Sequence, residues 1–407
     1  MRHVVFCVPF FREASIRFVK GVAALPDVRL ALVTQDPRSA LPPDVDRMLT
    51  GHWQVKDGLD GEALVEGVRG AARQLGGLDR VVGMLEQLQV PLGYVRDRLG
   101  VEGMGEQVAR NFRDKSRMKD VLRAAGVPCA RHRLCTNFDE ARSFAALVGY
   151  PIVVKPPAGA GAKATFRVGD GRALEDALRA LSPSPDRPLQ VEEFVTGKEH
   201  SFDAVNVGSR TVWHSLTRYE PSPLQVLETP WIQWTVLVPR EIDHPQWNDI
   251  RAVGAKALSA LGMTSGLSHM EWFRRPDGSL AVSEVGARPP GAQICSLHSY
   301  AHDFDMYGAW GRLVVLDEFT APERRYAAGA AYLRAQGQGR TIRAVHGIEQ
   351  AQREVGELVV EARLPQVGAE PTGTYEGDGY VILRHASTEV VERALRRLVT
   401  LVRVELG

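Results

Sequence analysis

The chain has 407 residues, which is too many for one compact core, so two to four domains are expected. Its 50 Lys and Arg residues nearly cancel its 49 Asp and Glu residues. The resulting net charge of +1 gives no electrostatic case for nucleic acid or an anionic membrane as the main partner. No apolar stretch approaches membrane-spanning length, and the four cysteines lack zinc-ligand spacing. These features predict a cytoplasmic protein with free thiols.

The first part of the chain alternates short apolar runs with helical patterns. We predict strands at 4–8, 28–34 and 81–84, and helices at 13–25 and 61–76. Alternating elements of this kind indicate a parallel sheet covered by helices. The sequence G-x-G-x-x-G is absent after the first strand, which argues against a dinucleotide site there.

The remainder of the chain mixes helical and strand patterns. A helix at 114–126 ends at Gly126 with Pro128 just beyond it, as helix stop signals predict. The other expected elements are, in chain order, a helix at 139–148, strands at 151–155, 163–168, 189–195, 200–207 and 210–217, a helix at 246–261, a hairpin at 266–285, and a mixed α/β tail from about 326 that ends in a helix at 387–402.

Two acidic residues lie in the predicted hairpin. If its loop has an even number of residues centred between Asp277 and Gly278, Glu271 falls directly opposite Glu284, with Cβ atoms about 5 Å apart and His269 on the same face. Facing carboxylates repel each other unless a cation such as Mg²⁺, which prefers oxygen ligands, sits between them. A solvated face with unrelated acids is the alternative, and a three-residue loop with a bulge would place the acids on opposite faces.

Several charged residues lie at or near the ends of predicted strands. Arg288 comes four positions after Glu284, where it could hold an anionic substrate or form a surface salt bridge. Lys155 ends a β-branched strand and precedes a loop of Pro, Ala and Gly residues that could approach a phosphate or be an ordinary turn. Glu192 and Glu199 flank a Gly turn between two strands, where they could contact a nucleoside or be surface acids.

In their order and spacing, these motifs resemble the ATP-grasp superfamily over roughly residues 1–320, and the layout looks closest to carboxylate–amine ligases such as amino-acid and dipeptide ligases. The resemblance implies an α/β and α+β protein with ATP-grasp architecture. It implies an N-terminal parallel-sheet pre-ATP-grasp domain at 1–110, an ATP-grasp domain at 111–320 with a small lid subdomain at about 120–187 and a large subdomain at about 188–320, and a C-terminal α/β lid at 326–407.

The resemblance also assigns roles to residues. It implies ATP and Mg²⁺ as cofactors, with Mn²⁺ as a substitute. The implied roles are phosphate binding by Lys115 and Lys155, a mobile lid containing Gly159 and Gly161, an adenine hinge at Glu192, Glu193 and Val195, ribose binding by Glu199, metal binding by Glu271 and Glu284, and catalysis by Arg288 and Lys155.

The activity that the resemblance implies is ATP-dependent joining of a small carboxylate to a small amine through an acyl phosphate, with release of ADP and phosphate. A homodimer is left open. One departure is Gly286, because the family usually has Asn at this position as a further metal ligand. A biotin-carboxylase-like or purine-pathway enzyme is the alternative within the superfamily, and a catalytically inactive ATP-binding module is the alternative outside catalysis.

Substrate identity is weakly encoded. The segment 227–234 crowds aromatic residues near the expected cleft, where Trp231 and Trp234 could line an apolar acceptor pocket or belong to the core. His298, Tyr300 and His302 follow the Arg288 loop and could face the substrate or have structural roles.

Overall fold

The structure is a computed structural model that describes residues 1–157, 165–229 and 231–407. Within these ranges, no helix combines the length and apolar character needed to cross a bilayer. The described elements form four sheets, one parallel and three with antiparallel pairing.

The N-terminal part contains the expected parallel sheet, in the strand order β3-β2-β1-β4. Alternate residues of the first strand enter two different cores, with Val4 and Phe6 in one and Val5 and Cys7 in the other, because helices cover both faces. The elements are β1 (Arg2–Cys7), α1 (Glu13–Ala23), β2 (Val28–Thr34), α2 (Pro43–Asp46), β3 (Gly51–Gln54), α3 (Gly61–Leu75), β4 (Arg80–Val82), α4 (Gln89–Leu99) and α5 (Glu106–Arg113).

A small antiparallel sheet follows, in the order β5-β8-β6-β7. Ile152 and Val154 of β6 are buried in its core, so Val153 and Lys155 point to the opposite face. The elements are α6 (Lys115–Ala124), β5 (His132–Cys135), α7 (Phe138–Val148), β6 (Ile152–Lys155), β7 (Phe166–Val168), α8 (Gly171–Leu181) and β8 (Leu189–Glu193). Part of the strand expected at 163–168 lies outside the described residues.

The largest sheet has eight strands, in the order β13-β12-β9-β10-β11-β14-β18-β17. On one face, Phe202 and Trp272 pack against the helix at 248–261, while on the other face Asp203 and His269 lie towards the helix at 294–302. The first elements of this region are β9 (Lys198–Val207), β10 (Arg210–Glu220), α9 (Pro223–Glu228), β11 (Trp234–Val238), α10 (Asn248–Leu261), β12 (Gly266–Arg274), β13 (Leu280–Gly286), α11 (Ile294–His302) and α12 (Met306–Leu316).

The C-terminal tail contributes strands to this same sheet, because β14 pairs with β11 and β18 pairs with β14. A three-stranded sheet, in the order β15-β19-β16, adjoins it. The elements are β14 (Ala327–Leu333), β15 (Ala335–Gln336), β16 (Ile342–His346), α13 (Ile348–Val355), β17 (Val359–Arg363), β18 (Gly379–His385), α14 (Thr388–Leu401) and β19 (Arg403–Leu406). The tail is therefore continuous with the large sheet.

Candidate active site

A cavity of about 230 Å³ lies between the small antiparallel sheet and the eight-stranded sheet. It brings together every described residue to which a site role was assigned. Gly159 and Gly161 lie outside the described residues. The predicted residues that line the cavity are Lys115, Lys155, Glu192, Glu193, Val195, Glu199, Glu271, Glu284 and Arg288.

Glu271 and Glu284 are direct cross-strand partners, as predicted. The expected even-numbered loop is wrong, however, because the pairs nearest the turn are Phe273 with Ala281 and Arg274 with Leu280, which leaves a five-residue loop at 275–279. A register shift between the Glu271 and Trp272 pairs restores the alignment of the two acids. The predicted pairing of the two acids is therefore correct only because the odd-numbered loop and the register shift offset each other.

Lys119, to which we assigned no role from the sequence, contacts the strand at this register shift. The side chain of Lys119 in α6 is fully buried, and its Nζ donates to the carbonyl oxygen of Ser283 at 2.8 Å. Its Nζ also lies 3.6 Å from Glu192 Oε2. Lys119 therefore links the bulged strand of the large sheet to the small sheet.

The two predicted phosphate lysines each face an acid. Helix α6 begins at Lys115 because Asp114 accepts hydrogen bonds from the backbone N–H groups of Ser116 and Arg117. Lys115 Nζ then lies 2.7 Å from Glu284 Oε1. Burial alone would raise the pKa of Glu284, but the neighbouring ammonium of Lys115 lowers it overall. The first residue of α6 thus places an ammonium group beside Glu284, the second of the two predicted metal ligands.

Lys155 is held in the same way by Glu192, whose Oε1 lies 2.9 Å from Lys155 Nζ. Burial would raise the pKa of Glu192, but the ammonium groups of Lys119 and Lys155 outweigh it and hold that pKa at about 2. The side chain of Glu193 turns to Arg131 and Arg275 instead. At this predicted hinge, the Glu192 carboxylate therefore forms ion pairs with the two lysines, whereas the Glu193 carboxylate pairs with the two arginines.

Glu199 is the cavity acid whose charge is least supported. Its pKa is raised well above the usual range, first because of burial and then because the Glu271 carboxylate is near. Hydroxyl groups that donate to this carboxylate, as the predicted ribose contact requires, would stabilise its charged form.

A buried hydrogen-bonded cluster of one acid and two histidines lies beside Glu271. Asp203 Oδ1 lies 2.5 Å from His269 Nδ1, and Asp203 Oδ2 lies 3.0 Å from His298 Nε2. His269 Nε2 lies 3.8 Å from Glu271 Oε1. Burial would lower the pKa of His269, but the anionic Asp203 outweighs it and raises that pKa to about 9. His298 thus has the structural role that was left open for it.

The other two residues left open are also engaged in structural contacts. The Tyr300 hydroxyl donates to Glu361 Oε2 at 2.9 Å, and Arg324 Nε donates to His302 Nε2 at 3.2 Å. The described residues that line the cavity include neither Tyr300 nor His302.

Arg288 is anchored by an acid from the N-terminal sheet region. Its Nε donates to Glu86 Oε2 at 2.8 Å. A Cβ atom at Gly286 would lie only 3.2 Å from that same oxygen, so Glu86 reaches the space that a longer residue at 286 would fill. Sequence reasoning missed Glu86. Its only signal is its place just after β4, at the carboxyl edge of a parallel sheet, where ligand sites gather.

The donor set of the cavity suits a divalent cation bound together with phosphate oxygens. Glu271 and Glu284 offer hard oxygen ligands on adjacent strands. In the part of the chain that is described, no three His, Cys, Asp or Glu side chains converge as a complete metal site. The remaining ligands of a Mg²⁺ ion would come from phosphate and water, as is common for this ion.

Comparison with known proteins reveals the same domain and fold. Residues 120–299 match the ATP-grasp domain family. An L-arginine-specific L-amino acid ligase of Bacillus subtilis is 22% identical over 293 residues, which cover 71% of this chain and 70% of the relative. A carbamoyl phosphate synthase large chain of Mycobacterium sp. (strain JLS) is 35% identical over 134 residues, which cover 32% of this chain and 11% of the relative.

Solved structures match over the whole chain. The crystal structure of an L-amino acid ligase from Bacillus licheniformis has a TM-score of 0.80 at 18% identity and covers 100% of this chain and 99% of its own. A carboxyaminoimidazole ribonucleotide synthase from Aspergillus clavatus, complexed with ATP, has a TM-score of 0.71 at 18% identity, with 98% of each chain covered. At these identities the structures show a shared fold. Residues 120–299 are therefore identified as an ATP-grasp domain, and the rest of the chain shares the fold of these structures.

Proposed function

We propose that the protein is an ATP-dependent carboxylate–amine ligase that forms an amide bond through an acyl phosphate. The observation that carries the proposal is the facing pair Glu271 and Glu284, with Lys115 and Arg288 in the same cavity. The names of the two Bacillus relatives, both L-amino acid ligases, support the same reaction class.

ATP binding would use the cavity wall nearest the small sheet. An ammonium group has three N–H donors, so Lys115 and Lys155 can contact phosphate oxygens while they stay near Glu284 and Glu192. The backbone at Glu193 and Val195 would pair with adenine, and Glu199 would accept hydrogen bonds from the ribose hydroxyls. Gly159 and Gly161 would cover the phosphates.

In the chemical step, an oxygen of the substrate carboxylate attacks the γ-phosphorus, and the bond to the bridging oxygen breaks to release ADP. The substrate amine then attacks the acyl carbon, loses a proton, and expels inorganic phosphate. Arg288 would hold the reacting oxygens through its planar guanidinium, with its Nε–H already directed by Glu86. Mg²⁺ or Mn²⁺ bound by Glu271 and Glu284 would neutralise charge on the phosphates.

An oxygen-labelling experiment tests this reaction. A carboxylic acid substrate labelled with heavy oxygen should pass one label to the released phosphate, since the attacking oxygen stays on phosphorus. Phosphate would be analysed by mass spectrometry after turnover with an amine. Amine-dependent turnover that yields unlabelled phosphate would exclude the acyl phosphate. Bicarbonate belongs in the substrate panel, because a biotin-carboxylase-like enzyme would respond to it.

An inactive module is a poorer explanation of the same residues. Lys115, Lys155 and Arg288 are each buried or half-buried and paired with an acid. A buried ion pair loses hydration that the attraction between its members often does not repay, so several such pairs are costly to retain without a ligand role. ADP release across a panel of acids and amines distinguishes an enzyme from a module, because a module would release none.

A further inference from the structure

The cavity has two chemically different ends. The lysines, the facing acids and Arg288 occupy the end near β12 and β13. Two or more strands away, towards β10 and β11, the wall is made of apolar and aromatic side chains. We call this wall the aromatic pocket, and its residues are Tyr219, Leu224, Leu227, Trp234, Ile294 and Tyr375.

Trp234 forms a rigid base for the aromatic pocket. Its side chain is packed so closely that the residue is only 2% exposed. Its ring stacks on Tyr332 at 4.9 Å between centroids and meets the edge of Tyr375 at 5.3 Å. Its Nε1–H donates to the carbonyl oxygen of Pro221 at 3.1 Å, so its polar atom is already satisfied. The surface that Trp234 offers to a ligand is therefore apolar.

Tyr375 reaches the pocket from the segment between β17 and β18. Asp378 anchors this segment by accepting hydrogen bonds from the backbone N–H groups of Ala335 at 3.1 Å and Thr372 at 2.6 Å. The neighbouring Glu376 accepts a hydrogen bond from the backbone N–H of Ala292 at 3.2 Å. Tyr375 is thus held against the loop that follows Arg288.

The conformation of that loop depends on these contacts. Ala292 and Gln293 have φ angles of +52° and +54°, a left-handed conformation that non-glycine residues adopt at an energetic cost. The Tyr332 hydroxyl donates to the Ala292 carbonyl oxygen while Glu376 accepts from its N–H. The side chains of Tyr332 and Glu376, both from the C-terminal tail, therefore hold this loop beside Tyr375.

The six residues of the aromatic pocket offer no counter-charge to a charged side chain of a ligand. None of the described residues that form it is ionised at neutral pH. Of the charged residues that line the same cavity, Arg288 is paired with Glu86, and Glu271 lies opposite Glu284 at the proposed metal site. Glu376 contacts the loop backbone, and burial raises its pKa. A charged substrate side chain placed here would lose its hydration without gaining a counter-charge, which is costly.

We propose that the aromatic pocket binds an apolar side chain of the substrate, as in aliphatic and aromatic amino acids, and that Tyr375 limits the size of that side chain. The inference rests on the proposed ligase function, since it concerns the same site. It also implies a preference different from the arginine specificity for which the Bacillus subtilis relative is named.

Equilibrium binding tests the proposal without requiring turnover. The full-length protein, with ADP and Mg²⁺ present, would be titrated by calorimetry with L-leucine, L-phenylalanine, L-arginine and L-glutamate. Burial of an apolar side chain predicts binding of leucine or phenylalanine that is about tenfold tighter or more. Equal or tighter binding of arginine or glutamate would overturn the proposal, as would an absence of binding by either apolar ligand.

Variants of Tyr375 test the size limit. Tyr375→Ala should shift the preference from leucine towards phenylalanine by about tenfold, because it removes one aromatic side chain from the pocket lining. Tyr375→Phe retains the ring and should retain the parental preference. The same order of preference in Tyr375→Ala, in a variant with an unchanged melting temperature, would exclude Tyr375 as the wall. If apolar ligands bind but no acid and amine pair releases ADP, the ligase proposal fails while the pocket assignment stands.

Discussion

The two ends of the cavity are stabilised in opposite ways. At the charged end, each described cation faces an acid, as in the pairs Lys115 with Glu284 and Arg288 with Glu86. At the aromatic end, Trp234 and Tyr375 pack through ring contacts and apolar area. Removing one member of a buried ion pair leaves its partner uncompensated, whereas trimming an apolar wall loses only area. We therefore expect substitutions at the charged end to have the larger effects.

The largest effect is expected below the charged end, at Asp203. Asp203→Asn should lower the free energy of unfolding by about 3–5 kcal/mol, because it leaves the buried cationic His269 without its anion. Urea unfolding followed by circular dichroism measures the change. Asp243→Asn is the matched control, since that carboxylate is 78% exposed, and it should change stability by less than about 0.5 kcal/mol. Equal effects of the two variants would contradict the assignment.

The next largest effect is on chemistry. Glu284→Gln should reduce kcat by about 10²–10³-fold, comparable to losing one preorganised electrostatic group, because it removes an anionic metal ligand opposite Glu271. ADP release in a coupled assay measures it. Asp277→Asn, at the exposed turn of the same hairpin, should turn over normally. Near-normal turnover by Glu284→Gln would remove Glu284 from the metal site.

The third largest effect is expected on the affinity for ATP. Lys155→Ala should weaken ATP binding by about 1.5–3 kcal/mol, the range for one hydrogen bond to a charged group. Calorimetry with a non-hydrolysable ATP analogue measures this change, and Lys115→Ala provides an independent test. The exposed Lys198, at the start of β9, supplies the control Lys198→Ala. An unchanged dissociation constant in Lys155→Ala would show that this lysine is not a phosphate ligand.

The fourth prediction concerns the departure at Gly286. Restoring the family-typical residue with Gly286→Asn should decrease turnover, since its Cβ would lie 3.2 Å from Glu86 Oε2 and disturb the contact to Arg288. Overpacking of this kind costs about 1–3 kcal/mol. Gly286→Ala is the smaller matched change and should give a smaller decrease. An increase in turnover would show that Glu86 does not occupy the place of the missing side chain.

The smallest effect is expected at an exposed tryptophan that is not among the described residues lining the cavity. Trp231 is 62% exposed, while Trp234 is buried among aromatic rings. Trp231→Ala should therefore leave ligand binding and stability within about 0.5 kcal/mol of the parent. A large loss of binding affinity in Trp231→Ala would place the substrate outside the aromatic pocket as we define it.

The predictable parts of this molecule are those encoded by neighbours along the chain. The apolar spacing of β1 and α3, the position of Lys155 at the end of a strand, and the facing of Glu271 and Glu284 all follow from periods of two or 3.6 residues. The facing acids were predicted through an incorrect loop, which shows the limit of such reasoning. A bulge changes the register without any clear mark in the sequence.

The partners that complete the site were set only by tertiary packing. Arg288 and Glu86 lie 202 residues apart in the chain, and Asp203 meets His269 across 66 residues. Tyr375 enters from the tail because β14 and β18 extend the sheet that carries the acids. Local periodicity places a side chain on a face of its own element, but which distant element covers that face depends on how whole sheets and helices pack.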